Sequence, residues 1–431
     1  MVRRGVADAG RLHVASRPDT RPATGRGDAA SPPSRSAVLS IAAVISVAFA
    51  GSVIVTPLYA LYQRKFGFSE IVLTLVYAVY VVGNVAALLL FGQLSDQIGR
   101  KRAALPALAL AVASAMLFIF AADTAWLFVG RGLIGLAVGV ASGTGTAWLA
   151  EEYGPSRRST ATLTAATANM SGIAAGPLLA GLLAQYAPWP LRLPLVVYIL
   201  AVLCVAVAIA RLSETRRPST RKLTDVRLRP RLGVPAPLIG AFAPAAVAGF
   251  VTFALGGLYF ALIPGIVIRD LHQTNIALGG AIVFELALFA VVFIVLGRRL
   301  RPAAAMTTGL TVLVPAVALV VIAQAARSMP MLVVATALAG VAMAFGYRGS
   351  LQVVNEIAPD ERRAEVVSSY FIACFVGNSV PVIGVGLLSA LTGALPASIV
   401  FACTLAVLAV AALVWRRRTT ATSSMPPRGD G

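Results

Sequence analysis

The chain is 431 residues long, 58% hydrophobic and only 12% charged, with a formal net charge of +19. So few charged groups cannot cover the surface of a soluble domain of this length, which points to a membrane protein. The positive excess would suit a nucleic acid only as a basic face on a folded domain, and here the Lys and Arg residues stand between long apolar runs instead.

Residues 1–36 are rich in Arg, Ala, Gly, Pro and Ser and have almost nothing to bury, the composition of a disordered tail. The next apolar run, 37–62, contains A-F-A-G at 48–51, which resembles a cleavage site, but it continues well past that point and reads as a retained first span. Ser52, Thr56, Tyr59 and Gln63 recur in it at helical spacing, so they are expected on one face, turned either to a cavity or to a neighbouring helix. Pro57 interrupts the hydrogen-bond ladder at the same place.

Two runs of bilayer length, 71–91 and 103–122, flank the stretch G-Q-L-S-D-Q-I-G-R-K-R at 92–102, the densest charge between any two apolar runs. Gly92 and Gly99 permit a sharp turn, and Asp96 sits among Arg100, Lys101 and Arg102, where a basic side chain or a helix terminus would hold it. This loop resembles the one between the second and third helices of the major facilitator superfamily, whose pattern is G-x-L-a-D-r-x-G-r-[kr]-x-[RK]. Gly92, Leu94, Asp96, Gly99, Arg100, Lys101 and Arg102 match it, while Ser95 and Gln97 depart.

The fourth run, 125–150, carries six glycines and one cation, Arg131. Arg131 followed by Gly135 and Gly139 resembles the Arg and Gly-rich pattern of the superfamily's fourth helix; the alternative is an arginine snorkelling to the nearby interface. Trp126 and Trp148 bracket this run like interfacial anchors. In the fifth run, 161–186, Gly172, Gly176, Pro177 and Gly181 resemble the G-x-x-x-G-P-x-x-G-G element of the drug:proton antiporters, with Ala180 in place of one glycine. Physically they make a flat face for close helix approach and a bend at the proline. The sixth run, 190–210, leads into the basic, Pro-containing stretch 212–235, which marks a boundary between two halves, 37–211 and 236–415. Six more runs follow, at 236–268, 276–297, 303–326, 331–354, 364–391 and 396–415, before a short tail at 416–431.

An offset of 205 residues lays the halves on one another, carrying Gly135 and Glu151 onto Gly340 and Glu356, and Gly172 and Gly181 onto Gly377 and Gly386. The expected fold is therefore all-α, a polytopic membrane protein with twelve transmembrane helices in two pseudo-symmetric six-helix bundles. With both termini cytoplasmic, 29 of the 36 Lys and Arg residues fall in cytoplasmic segments, so that orientation and a plasma-membrane location are expected. The same distribution assigns the positive charge to contact with anionic lipids of the bilayer and leaves no role for a nucleic acid.

No phosphate-binding G-x-x-x-x-G-K-[ST] loop occurs, and the three cysteines fall inside spans without metal or disulfide spacing, so neither a cofactor nor a metal is expected. Arg131 and Arg348 are the basic residues placed within spans, and Glu285 is the one carboxylate expected near mid-membrane. An ionised Glu there is costly, which suits reversible protonation, or else a permanently neutral Glu bonded to a neighbouring helix. Glu151 and Glu152, with the Gly92 to Arg102 loop, read as a gate of charges at the cytoplasmic helix ends. The resemblance implies a non-enzymatic, monomeric transporter that exports small amphipathic or drug-like compounds in exchange for protons. A facilitator or proton symporter for a polar metabolite is the alternative, since no acidic residue stands in the first span where many such antiporters place one; a non-transporting receptor of similar fold is another.

Overall fold

The computed structural model describes residues 34–91, 94–212, 214 and 232–423, so Gly92, nearly all of the expected N-terminal tail and most of the basic linker lie outside the described residues. Those residues form fifteen α-helices and no strand. In chain order they are α1 Arg35–Val53, α2 Tyr59–Phe66, α3 Glu70–Phe91, α4 Leu94–Ile98, α5 Arg100–Ile119, α6 Thr124–Tyr153, α7 Arg158–Tyr186 and α8 Leu193–Ala210 in the first half. The second half holds α9 Ile239–Ala261, α10 Ile263–Arg269, α11 Ile276–Leu296, α12 Pro302–Ala325, α13 Met329–Ile357, α14 Arg363–Thr392 and α15 Ala394–Ser423. Twelve helical segments are long and apolar enough to cross a bilayer, and in a bilayer only a helix satisfies its own backbone over that length.

Each half has its own core. One runs from Ile41 to Ile209 and the other from Ala245 to Ala412, with Tyr77 of the first half reaching into the second. Shifting by 205 residues carries α3, α6 and α7 onto α11, α13 and α14 to within one residue at either end, so the repeat seen in the sequence is a repeat of helices.

The first span of each half is broken: in 37–62 at the place that Pro57 marks in the sequence, and in 236–268 where an uninterrupted run was expected. Pro57 has no N–H to give and its ring crowds the preceding turn, so the chain passes through tighter bonds, Thr56 N to Val53 O at 3.0 Å and Leu58 N to Val55 O at 3.0 Å. The counterpart break falls at Leu262, with Pro264 in the first turn of α10 where a missing N–H costs nothing. Ser52, Thr56, Tyr59 and Gln63 consequently do not share one helical face: the first three are buried around the break and Gln63 is half-buried on α2.

Close helix approach follows the glycines. A Cβ on Gly172 would lie 2.1 Å from Ser46 O and one on Gly176 2.7 Å from Ala50 O, so both pack α7 against α1 inside the first bundle. Across the bundle interface, a Cβ on Gly280 of α11 would lie 2.2 Å from Pro177 O, and one on Gly181 3.1 Å from Ala277 Cα.

Candidate functional site

The break in the first span creates a polar centre. Thr56 N bonds to Val53 O rather than one residue further back, which leaves the Ser52 carbonyl without its helical partner. Arg131 of α6 takes it, Nη1 donating at 2.6 Å. The Arg131 side chain is fully enclosed, at 0% exposure, and so does not snorkel to an interface. The rings of Tyr59, Tyr77 and Tyr80 surround its guanidinium, with centroids 5.4, 5.3 and 5.4 Å from Cζ. Nε and Nη2 of Arg131, the Tyr59 hydroxyl and Thr56 Oγ1 are buried without a hydrogen-bond partner, as is the Tyr198 hydroxyl beside Gly51.

Tyr77 links this centre to the other bundle. Its hydroxyl meets the Asn378 side chain of α14, with Nδ2 at 2.9 Å and Oδ1 at 3.2 Å. Under the offset of 205 the counterparts of Arg131 and Tyr80 are Thr336 and Glu285. Thr336 is buried and satisfies its own hydroxyl on Leu332 O at 2.8 Å. Glu285 is half-buried, the tenth residue of α11, within electrostatic reach of Tyr259, and makes no hydrogen bond or ion pair with a described residue. Each half thus carries one ionisable side chain where the other half has an uncharged one: Arg131 stands opposite Thr336 and Glu285 opposite Tyr80. Tyr77, Tyr80 and Asn378 carry no signal in the sequence that separates them from ordinary aromatic and polar packing; the offset applied to Arg131 and Glu285 points only to Tyr80.

The loop at 94–102 builds a second cluster, on the face where α1 begins and α15 ends. Gly99 stands at φ +105°, a conformation that favours glycine, and turns the chain into α5. Arg100 is buried and satisfied: it pairs with Asp96 at 2.6 Å and Glu151 at 2.7 Å and donates to Ser95 Oγ at 2.5 Å. Glu214, not Asp96, holds the N-terminus of α5, accepting from Arg100 N at 2.7 Å and Lys101 N at 3.2 Å. Lys101 Nζ closes the end of α8 on the Ala210 and Leu212 carbonyls, Glu152 accepts from Ser34 N at 3.2 Å, and Arg102 is exposed. Arg348 lies within a span, as expected, in the second half of α13, where it binds the carbonyls of Gly297 and Arg298 at the end of α11.

A third cluster joins the bundles at the distal face, opposite the start of α1 and the end of α15. Glu70 at the start of α3 pairs with Arg269 of α10 and accepts from Ser389 of α14. Gln185 accepts from Ile276 N at 2.8 Å, and Asn275 donates to the Tyr186 hydroxyl at 2.9 Å. Beside Arg269, burial pushes the Asp270 carboxyl above its ordinary range, opposed by the Gln324 amide that donates to it at 2.6 Å. An apolar groove of about 490 Å³ between α7 and α11, lined by Met170, Leu178, Leu182 and Phe284 among others, includes neither Arg131 nor Glu285.

Two pseudo-symmetric six-helix bundles, tied at one face and enclosing buried polar groups at their centre, define a membrane transporter and not an enzyme. The family model described as Major Facilitator Superfamily matches residues 41–298, more than half of the chain, and the chain belongs to that superfamily. It is similar to the inner membrane transport protein YnfM of Escherichia coli (strain K12), 29% identical over 181 residues, and the match spans 41% of the length of either chain. Among solved structures it is similar to a peptide transporter POT mutant in complex with sulfate, at TM-score 0.72 and 14% identity over 90% of this chain and 95% of that one. A nucleoside transporter NupG mutant gives 0.68 and 14% over 88% and 99%. A bacterial homolog to the human lysosomal transporter Spinster, in an inward-facing and occupied conformation, gives 0.63 and 13% over 88% and 96%. At these identities the likeness is one of fold.

Proposed function

We propose that the protein exports small amphipathic, drug-like compounds across the cell membrane in exchange for protons, with both termini cytoplasmic and the two bundles rocking about the centre between them. Superfamily membership, the bundle architecture and the Lys and Arg distribution support the transport mode and the orientation. One observation carries the coupling: Glu285 stands near the middle of α11, about 14 Å from its start and about 16 Å from its end at 1.5 Å per residue, half-buried and unpaired among the described residues. An acid in that position holds a proton when the site is dry and releases it when water enters, so opening to one side changes its charge.

The test is transport by purified protein in vesicles under an imposed pH gradient, against a panel of labelled amphipathic compounds. Glu285→Gln, which mimics the protonated acid, is expected to keep exchange of labelled compound while losing accumulation driven by the gradient. Uphill movement by the Gln variant at the unmutated rate would show that Glu285 is structural and that protons are not coupled through it.

A further inference from the structure

The donors around Arg131 point to a ligand of definite charge. Arg131 spends Nη1 on the Ser52 carbonyl, and its two free donors, Nε and Nη2, are the neighbouring pair on one edge of the guanidinium. That edge is the one that takes both oxygens of a carboxylate side-on. Guanidinium does not shed its proton, so burial cannot be relieved by neutralising the group, and no carboxylate of the described residues pairs with it. On the corner between α1 and α2 the Tyr59 hydroxyl lies against the guanidinium, close enough to accept from it, and the Thr56 hydroxyl is unpartnered; each still has its own proton to give. Donors without acceptors meet here, walled by three tyrosine rings that offer apolar contact to the body of an organic molecule.

We propose that this is the substrate site and that its ligand is an organic anion, a small monocarboxylate with an apolar or aromatic body, whose carboxylate completes Arg131. The proposal rests on the reading of the chain as a transporter but not on the coupling role of Glu285. Entry requires the Thr56 to Tyr59 corner to move aside, and that corner is the broken part of the first span, where the helical ladder is already interrupted. Tyr77 passes the event on, since its ring faces Arg131 and its hydroxyl holds Asn378 of the opposite bundle.

Thermal unfolding of the purified, full-length protein in detergent tests this without any gradient. Sodium acetate, benzoate and indole-3-acetate are compared near neutral pH with benzamide, the uncharged counterpart of benzoate, and with sodium chloride at matched ionic strength. A saturable upward shift of Tm with at least one carboxylate, absent with benzamide and chloride, is expected. Arg131→Lys keeps the charge but loses the fork and is expected to weaken that carboxylate's binding by about ten- to a hundredfold. Where the lysine variant does not fold, Tyr59→Phe, which keeps the ring and loses one donor, is expected to weaken it several-fold. Equal shifts with benzamide or chloride, no shift with any carboxylate, or undiminished binding in the variants would overturn the assignment. Carboxylate binding alongside gradient-driven transport by Glu285→Gln would instead leave this site standing and remove only the proton coupling.

Discussion

Two buried arginines in the first bundle show how environment decides the role of one residue type. Arg100 is 3% exposed and surrounded by Ser95, Asp96 and Glu151; Arg131 is 0% exposed and holds a single carbonyl. The first is a structural clamp between the turn into α5 and the end of α6, so removing it takes one charged partner from each of two carboxylates. Arg100→Gln is expected to cost about 2 kcal/mol of stability, read as a lowered thermal midpoint. Asp96 is different, because its side chain is 44% exposed and water already screens the pair. Asp96→Asn is expected to cost well under about 1 kcal/mol in stability yet to slow transport, if the loop is the conformational gate that its family pattern implies. Transport at the unmutated rate with equal surface expression would reject the gate.

Among the helices, the glycines of α7 divide into two groups that the G-x-x-x-G-P pattern does not distinguish. Gly172 and Gly176 press on α1 within one bundle, whereas Pro177 and Gly181 face α11 of the other. Gly176→Leu is therefore expected to reduce the yield of folded protein, and Gly280→Leu to leave folding intact while slowing turnover, because only the second contact is broken and remade as the bundles rock. Chromatographic yield against initial transport rate separates the two; equal effects of both substitutions on both quantities would count against the division. The span count, the repeat and the charge-rich loop were legible in the sequence, since apolar length, offset and motif are local signals. Arg131 was visible as a charge in an apolar run, and Pro57 marked the place of the break. The enclosing tyrosines, the Tyr77 to Asn378 bond and the Glu214 cap were not, because each depends on residues brought together from distant spans or from the start of the linker.

At the scale of the whole molecule, the rocking of two rigid bundles needs ties that hold one face shut and can be released. The distal face supplies them: Glu70 reaches Arg269 and Ser389 from the opposite bundle, with Gly386 of α14 packed on Thr74 just below. The Glu70 side chain is 15% exposed and that of Arg269 42%, so the pair is only partly dry and is worth about 1 kcal/mol, close to a fivefold change in the balance between closed and open forms. Such a tie holds the face shut without locking it, because a ligand binding at the centre needs to supply only a comparable difference to open it. Glu70→Gln is expected to widen the distance distribution between spin labels placed at Ala122 and Ala326, on distal loops of the two bundles. Exchanging the charges, Glu70→Arg with Arg269→Glu, is expected to narrow it again, since the attraction is restored in reversed sense. Rescue by the exchange separates an electrostatic latch from simple loss of packing: if the double variant stays as open as Glu70→Gln, the Ser389 bond and the glycine contacts hold this face closed and the ion pair does not.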